Sequence, residues 1–209
     1  MAVTLATAAG PAQVALTGGA PGVGLLVYTH GSAGGVDAPD LRALRDVAVA
    51  LGWTTAGVTQ PFRLAGRRAP GNAEVQDAAW VEVVAALRAD HPGPLVQAGR
   101  SNGARVACRT AAAVGAAGVV CLAFPVHPPG RPDRDRLAEL DAARCSVLVV
   151  QGGRDPFGMP PARRGRRRVV VAPAADHSLE AALPEVTTAT RAFLRRLAAR
   201  PAADSPHPG

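Results

Sequence analysis

The chain has 209 residues, 48% hydrophobic and 19% charged, which excludes an intrinsically disordered chain and suits one domain with a sizeable core. All 23 basic residues are arginine, the formal charge is +7 and aromatics are only 3%, so the expected core is built from small aliphatic side chains. Cys108, Cys121 and Cys145 have no short paired spacing, which argues against a disulfide framework or a zinc site, and no apolar run approaches the length of a membrane span.

An N-terminal hairpin (Val3 to Leu5 with Gln13 to Leu16) precedes Gly24 to Thr29, a run apolar on both faces that suits a buried parallel strand. The strand stops at the glycine-rich turn His30-Gly31-Ser32-Ala33-Gly34-Gly35. Pro39 to Leu51 carries apolar residues at helical spacing and closes at Gly52. The alternation then recurs. Trp53 to Val58 is a strand, Glu74 to Arg88 a helix, Leu95 to Ala98 a strand and Arg105 to Val114 a helix. Strands follow at Val119 to Leu122, Val147 to Gln151 and Val169 to Val171, then a helix from Leu183 to Ala199. This pattern predicts an α/β fold, a mostly parallel sheet with helices on both faces, as one domain over residues 1–200. The Pro-rich tail 201–209 is expected to be disordered.

Gly99-Arg100-Ser101-Asn102-Gly103 has the form G-x-S-x-G, and it lies between a strand and an Ala-rich helix. With five serines and 23 glycines, chance supplies this form only about 0.06 times in the chain. In that context the serine sits on a strained turn, and a side chain at either glycine would collide with the neighbouring strand or helix. Such a serine needs a base and a group that orients the base. Asp155 follows the strand Val147 to Gln151 and emerges at its carboxyl edge, where an acid is required. His177 lies on the loop after the next strand. Asp133, Asp135, Asp141 and Asp176 do not directly follow a buried strand, and Asp176 is too close to His177 in sequence to orient it.

The residue after the nucleophile, Asn102, supplies one backbone N–H of an oxyanion hole, and Ser32 or Ala33 the other. His30 is expected to brace the glycine-rich loop rather than to catalyse. His127 follows a strand end and is read as lining the pocket or packing its loop. His91 and His207 read as solvated. Arg100 and Arg154 flank the proposed nucleophile and acid, where they favour acidic substrates or form ion pairs that hold the loops. The cluster Arg163, Arg164, Arg166, Arg167 and Arg168 reads as a solvated connection into the strand at Val169. Nucleic-acid binding by this cluster is the weaker reading, since no stacking aromatics are interleaved with it.

Three stretches taken together resemble a known family: Gly99-Arg100-Ser101-Asn102-Gly103-Ala104-Arg105, Phe124-Pro125-Val126-His127-Pro128-Pro129-Gly130, and Gly152-Gly153-Arg154-Asp155-Pro156-Phe157-Gly158 with Asp176-His177-Ser178-Leu179. The chain is similar to the small α/β-hydrolase proteins that include bacterial hydrolase-like members, testis-expressed relatives and a subunit of the animal NSL chromatin complex. The resemblance implies the α/β-hydrolase fold and the assignment of Ser101, Asp155 and His177, with Phe157 and His127 as pocket or loop support. Asn102 departs from the Met or other apolar residue that the family pattern leads one to expect, which alters pocket polarity but not the backbone donor.

Only residues 123–146 separate the strand ending at Leu122 from the one beginning at Val147, so a large lid does not fit. The expectation is a cytoplasmic serine hydrolase cleaving small carboxylic esters or thioesters through an acyl-enzyme. It needs no metal or organic cofactor, and its partner is a small acyl substrate, not a membrane. The rival is a catalytically silent scaffold that binds a protein partner.

Overall fold

A computed structural model describes residues 1–199 of the chain; the predicted tail at 201–209, with His207, lies outside the described residues. Eight strands form a single sheet: β1 (Ala2–Leu5), β2 (Ala12–Thr17), β3 (Leu25–Thr29), β4 (Thr54–Thr59), β5 (Leu95–Arg100), β6 (Gly118–Leu122), β7 (Ser146–Gly152) and β8 (Arg167–Ala172). Their order is β1-β2-β4-β3-β5-β6-β7-β8. The hairpin of β1 and β2 joins antiparallel to β4, and β4, β3, β5, β6, β7 and β8 run parallel. Parallel strands bring all their carboxyl ends to one edge of the sheet, where connecting loops can assemble a site.

The helices are α1 (Pro39–Ala50), α2 (Pro61–Leu64), α3 (Ala73–Arg88), α4 (Asn102–Thr110), α5 (Leu137–Asp141) and α6 (Leu183–Ala198), the last preceded by a 3-10 turn at Glu180–Ala182. Strand side chains alternate between the two faces. Leu26 and Tyr28 of β3 and Leu148 and Val150 of β7 share a core with Leu41 and Leu44 of α1 and Phe193 and Leu194 of α6. On the other face Leu25 and Val27 meet Trp80, Val83 and Val84 of α3, while Val147 and Val149 pack with Ala104 and Cys108 of α4. Cys108 and Cys121 are buried thiols with their Sγ atoms 3.4 Å apart, and Cys145 is partly exposed.

Three expectations change. α4 begins at Asn102 rather than Arg105, directly after the turn. α2 and α5 are single turns too short to leave a periodic signature. β8 begins at Arg167, and the arginine cluster is not simply solvated. Arg167 is 5% exposed and donates to Pro161 O and to Asp141, which also pairs with Arg163. Among the described residues no helix is long and apolar enough to cross a membrane.

Leu148 is fully buried between the central strands and α6. Leu148→Ala should lower the free energy of unfolding by ~2–5 kcal/mol through lost burial and the cavity left behind, measured as a reduced urea midpoint at unchanged slope.

Candidate active site

The chain turns from β5 into α4 at one residue. Ser101 sits at φ 52, ψ −113, left-handed backbone that a side-chain-bearing residue adopts at a cost of about 1–3 kcal/mol. Its N–H donates to Leu122 O at 2.9 Å, and its carbonyl accepts from Ala104 N at 3.0 Å. The flanking glycines make the turn possible. A Cβ on Gly99 would lie 2.1 Å from the carbonyl carbon of Gly103, and one on Gly103 would lie 2.7 Å from the carbonyl oxygens of both Thr29 and His30. Both are backbone collisions with nowhere to relax.

The turn projects the serine hydroxyl towards the loop after β8, and Ser101 Oγ lies 2.9 Å from His177 Nε2. His177 Nδ1 lies 2.8 Å from Asp155 Oδ2. Because a carboxylate can only accept, Nδ1 carries the proton and donates to Asp155, which leaves the Nε2 lone pair facing the hydroxyl. The Asp155 side chain is wholly buried and that of His177 is 20% exposed. Asp155 Oδ1 accepts from Phe157 N–H at 2.8 Å, and its Oδ2 also accepts from Gln151 Nε2 at 2.8 Å. The Phe157 ring lies over the imidazole, with centroids 4.2 Å apart. Asp176 turns away from the imidazole and accepts instead from the N–H and hydroxyl of Ser178, at 2.8 and 2.7 Å.

His127 supports the loop and does not line the cleft. Its N–H donates to Phe157 O at 3.1 Å, and its ring packs on Gly158, where a Cβ would lie 2.6 Å from Nε2. His91 is partly buried rather than solvated, its Nδ1 2.7 Å from Leu87 O. His30 is fully buried: Nδ1 donates to Gly31 O at 2.8 Å and Nε2 accepts from Gln60 N–H at 3.1 Å. With both nitrogens committed to the neutral ring, burial pushes its pKa below the ordinary histidine value of 6.5. The loop it braces places Gly31 so that a Cβ there would lie 3.3 Å from Ser101 Cβ. Among the described residues, the backbone N–H groups of Ser32, Ala33 and Asn102 have no acceptor within the protein. They border the same cleft as Ser101 and His177, which has a volume of about 390 Å³.

Gln151 and Asp40 were not singled out from sequence. The signal for Gln151 is an amide ending an otherwise apolar strand. The amide donates towards Phe124 O and Gly158 O as well as Asp155, so it ties two loops to the Asp155 carboxylate. Asp40, fully buried at the start of α1, pairs with Arg100 at 3.1 Å, a contact directed too poorly to count as a hydrogen bond. Burial raises the Asp40 carboxyl above its ordinary value against the lowering effect of Arg100. Arg100 also donates to His177 O at 3.1 Å, and so fastens the loop carrying the histidine to α1. Arg154 is exposed and donates to Ala174 O, and among the described residues no carboxylate lies within 4.0 Å of it. Along the cleft wall Arg105 holds Glu139 through two contacts of 2.8 and 2.6 Å, while Arg136 also borders the cleft.

A family model described as "Alpha/beta hydrolase domain" matches residues 23–200. Among solved structures the chain is similar to a Xanthomonas campestris α/β serine hydrolase without a lid, at 22% identity over 96% of each chain and a TM-score of 0.77. It is also similar to Butyrivibrio proteoclasticus Est1E with ferulic acid bound, at 15% identity over 95% of this chain and 100% of that one, TM-score 0.75. Anabaena variabilis dienelactone hydrolase aligns at 20% identity over 94% and 97% of the two chains, TM-score 0.72. No curated protein matches significantly.

Gly99→Ala should cost ~1–3 kcal/mol of stability or more, since backbone rather than a flexible side chain blocks the new methyl. Gly35→Ala, with open space around it, should change stability by less than about 0.5 kcal/mol; urea unfolding of the two variants compares them. Because the folded pKa of His30 is depressed, its contribution is complete above 6.5 and is lost as pH falls through the folded value. Stability measured from pH 7 to 5 should therefore fall with pH, and less steeply in His30→Asn.

Proposed function

The chain belongs to the alpha/beta hydrolase domain family, and on that premise we propose that it is a serine hydrolase cleaving small carboxylic esters or thioesters through an acyl-enzyme. One observation carries the reading: a hydroxyl held on a strained strand-to-helix turn lies 2.9 Å from an imidazole nitrogen whose other nitrogen is 2.8 Å from a buried carboxylate. Neither the strain nor the buried carboxylate has a purpose in packing alone.

In this proposal His177 Nε2 takes the Ser101 proton as Oγ bonds to the acyl carbon. The carbonyl electron pair moves onto oxygen, where Asn102 N–H and a donor from Ser32 or Ala33 receive it. Collapse of this adduct expels the alcohol or thiol, which leaves with the proton from Nε2. Water then attacks the acyl-enzyme by the same route, with His177 as base, and releases the acid and Ser101. Asp155 keeps Nδ1 protonated and stabilises the imidazolium in both halves. The steps use side chains and backbone amides alone.

Within the family we place the chain beside the small hydrolase-like proteins with testis-expressed and NSL-complex relatives, on the Phe124 to Gly130 and Gly152 to Gly158 stretches. The proposed location is the cytoplasm and the proposed partner a small acyl compound.

A fluorophosphonate probe should label the purified protein at Ser101, located by peptide mass spectrometry. Ser101→Ala and His177→Ala should abolish the label, and Asp155→Asn should slow it by about 10³–10⁴-fold. Folded protein that takes up no probe at Ser101 would overturn the reading and leave a scaffold that binds a protein partner.

A further inference from the structure

The cleft beside Ser101 carries uncompensated positive charge. Three guanidiniums, of Arg105, Arg109 and Arg136, cluster around two carboxylates. Arg105 takes both oxygens of Glu139, and Arg109 bridges Glu139 at 2.9 Å to Asp77 at 2.7 and 2.6 Å. Burial alone would raise the Glu139 carboxyl, but hydrogen bonds and charge from Arg105 and Arg109 outweigh it and hold the group below its ordinary value. Glu139 thus accepts three hydrogen bonds from two arginines.

Arg136 is the cation left over. Among the described residues no carboxylate lies within 4.0 Å of it, and its side chain donates only to Pro125 O, at 3.4 Å. It is half-buried on the wall of the cleft that contains Ser101 and His177. Burial first, and then the charge of Arg105, press its pKa below the ordinary arginine value against the raising effect of the more distant Glu139 carboxylate. Beside it, Asn102 is 7% exposed, borders the same cleft, and has no acceptor for Nδ2 among the described residues. A neutral, hydrocarbon-rich substrate would cover Arg136 and pair it with nothing, whereas an anionic oxygen would answer the unpaired charge.

Building on the hydrolase reading, we infer that the substrate carries an anionic group, most simply a carboxylate, which Arg136 binds while Ser101 attacks the acyl carbon. The guanidinium fork suits two carboxylate oxygens, and the pair forms in a partly desolvated wall where charge-assisted hydrogen bonds are stronger than at the open surface. Arg136 is a specificity residue, whereas Arg105 is already paired with Glu139.

The test uses fluorophosphonate probes that differ in one group. One carries a terminal carboxylate on its alkyl chain, one carries the carboxylate on its alkoxy chain, and each has a methyl-ester counterpart. Inactivation rates at Ser101 are compared in the intact protein, Arg136→Gln and, as a control for net charge, Arg134→Gln. A carboxylate probe should react about tenfold faster than its methyl ester in the intact protein and in Arg134→Gln. That preference, read as the ratio of the two rates, should vanish in Arg136→Gln, and a cooperative urea transition reports an intact fold. The arm that shows the preference tells which of the two substituents retained on phosphorus brings its carboxylate to Arg136. Equal rates for each pair in the intact protein, or a preference that survives Arg136→Gln, would overturn the inference and leave the hydrolase reading standing. Failure of every probe to reach Ser101 would instead remove the hydrolase reading, and this inference with it.

Discussion

Ser101 can hold φ 52 only because Gly99 and Gly103, two positions to either side of it, carry no side chain and pass within contact of other backbone. Gly99 lies against Gly103, Gly103 lies against the carbonyl oxygens that end β3, and Gly31 passes beside Ser101 itself. The turn therefore locks together β5, α4 and the loop after β3, so the hydroxyl, the Asn102 N–H and the Ser32 and Ala33 amides belong to one rigid unit. A distortion at any of the three glycines would move the Ser101 hydroxyl and the candidate oxyanion donors at once. Groups that meet a developing charge are useful only if they are already in place, and these close contacts fix them.

Buried polar side chains carry this rigidity outward from the turn. His30 accepts from the Gln60 N–H; the Gln60 amide donates to Thr29 Oγ1 and accepts from Gln76, whose oxygen faces Arg109. Thr29 in turn donates to Val58 O at 2.7 Å. The chain links the loop after β3, the end of β4, the start of α3 and the last turn of α4. Such a network is worth having only when its members are satisfied, and His30 meets that condition by staying neutral. On the opposite face Arg100 does the corresponding work through ionic contacts, since it reaches both Asp40 on α1 and the His177 carbonyl. The loop bearing His177 is thus tied to the residue that precedes Ser101.

The elements legible from sequence were those with a strong period or a motif. Both-faces-apolar runs marked β3, β5, β6 and β7, and the glycine spacing around Ser101 gave the turn with its physical reason. Asp155 and His177 could be placed because each follows a strand, and the structure brings them to the serine. Other features were hidden because they depend on partners remote in sequence. Nothing local distinguishes Arg167, buried against Asp141, from its exposed neighbour Arg168. Asp40 reads as an ordinary first-turn acid until Arg100 is seen beside it. The start of α4 was misplaced because Gly103 is a poor helix former, whereas the tertiary contacts of the turn require the helix to begin at once. His127 looked like a pocket residue because it follows a strand end, but the pairing of its N–H with Phe157 O turns it into the brace of the loop that covers His177.

The shape of the cleft bears on how selectivity can arise. The connection between β6 and β7 holds only one helical turn, α5, so no cap encloses the approach to Ser101. An open cleft of about 390 Å³ cannot surround a long acyl chain, and partial burial of hydrocarbon returns little at roughly 25 cal/mol per Å². Charge works differently. A guanidinium fixed on the wall and shielded from water on one side acts at short range and with direction, and it does not require the ligand to be engulfed. The short connection supplies that group, because Arg136 stands at the entrance to α5, where its own N–H donates to Val126 O at 2.7 Å and fixes its backbone. The segment too short to build a lid is thus long enough to place a charge, which is the kind of discrimination an uncovered site can sustain.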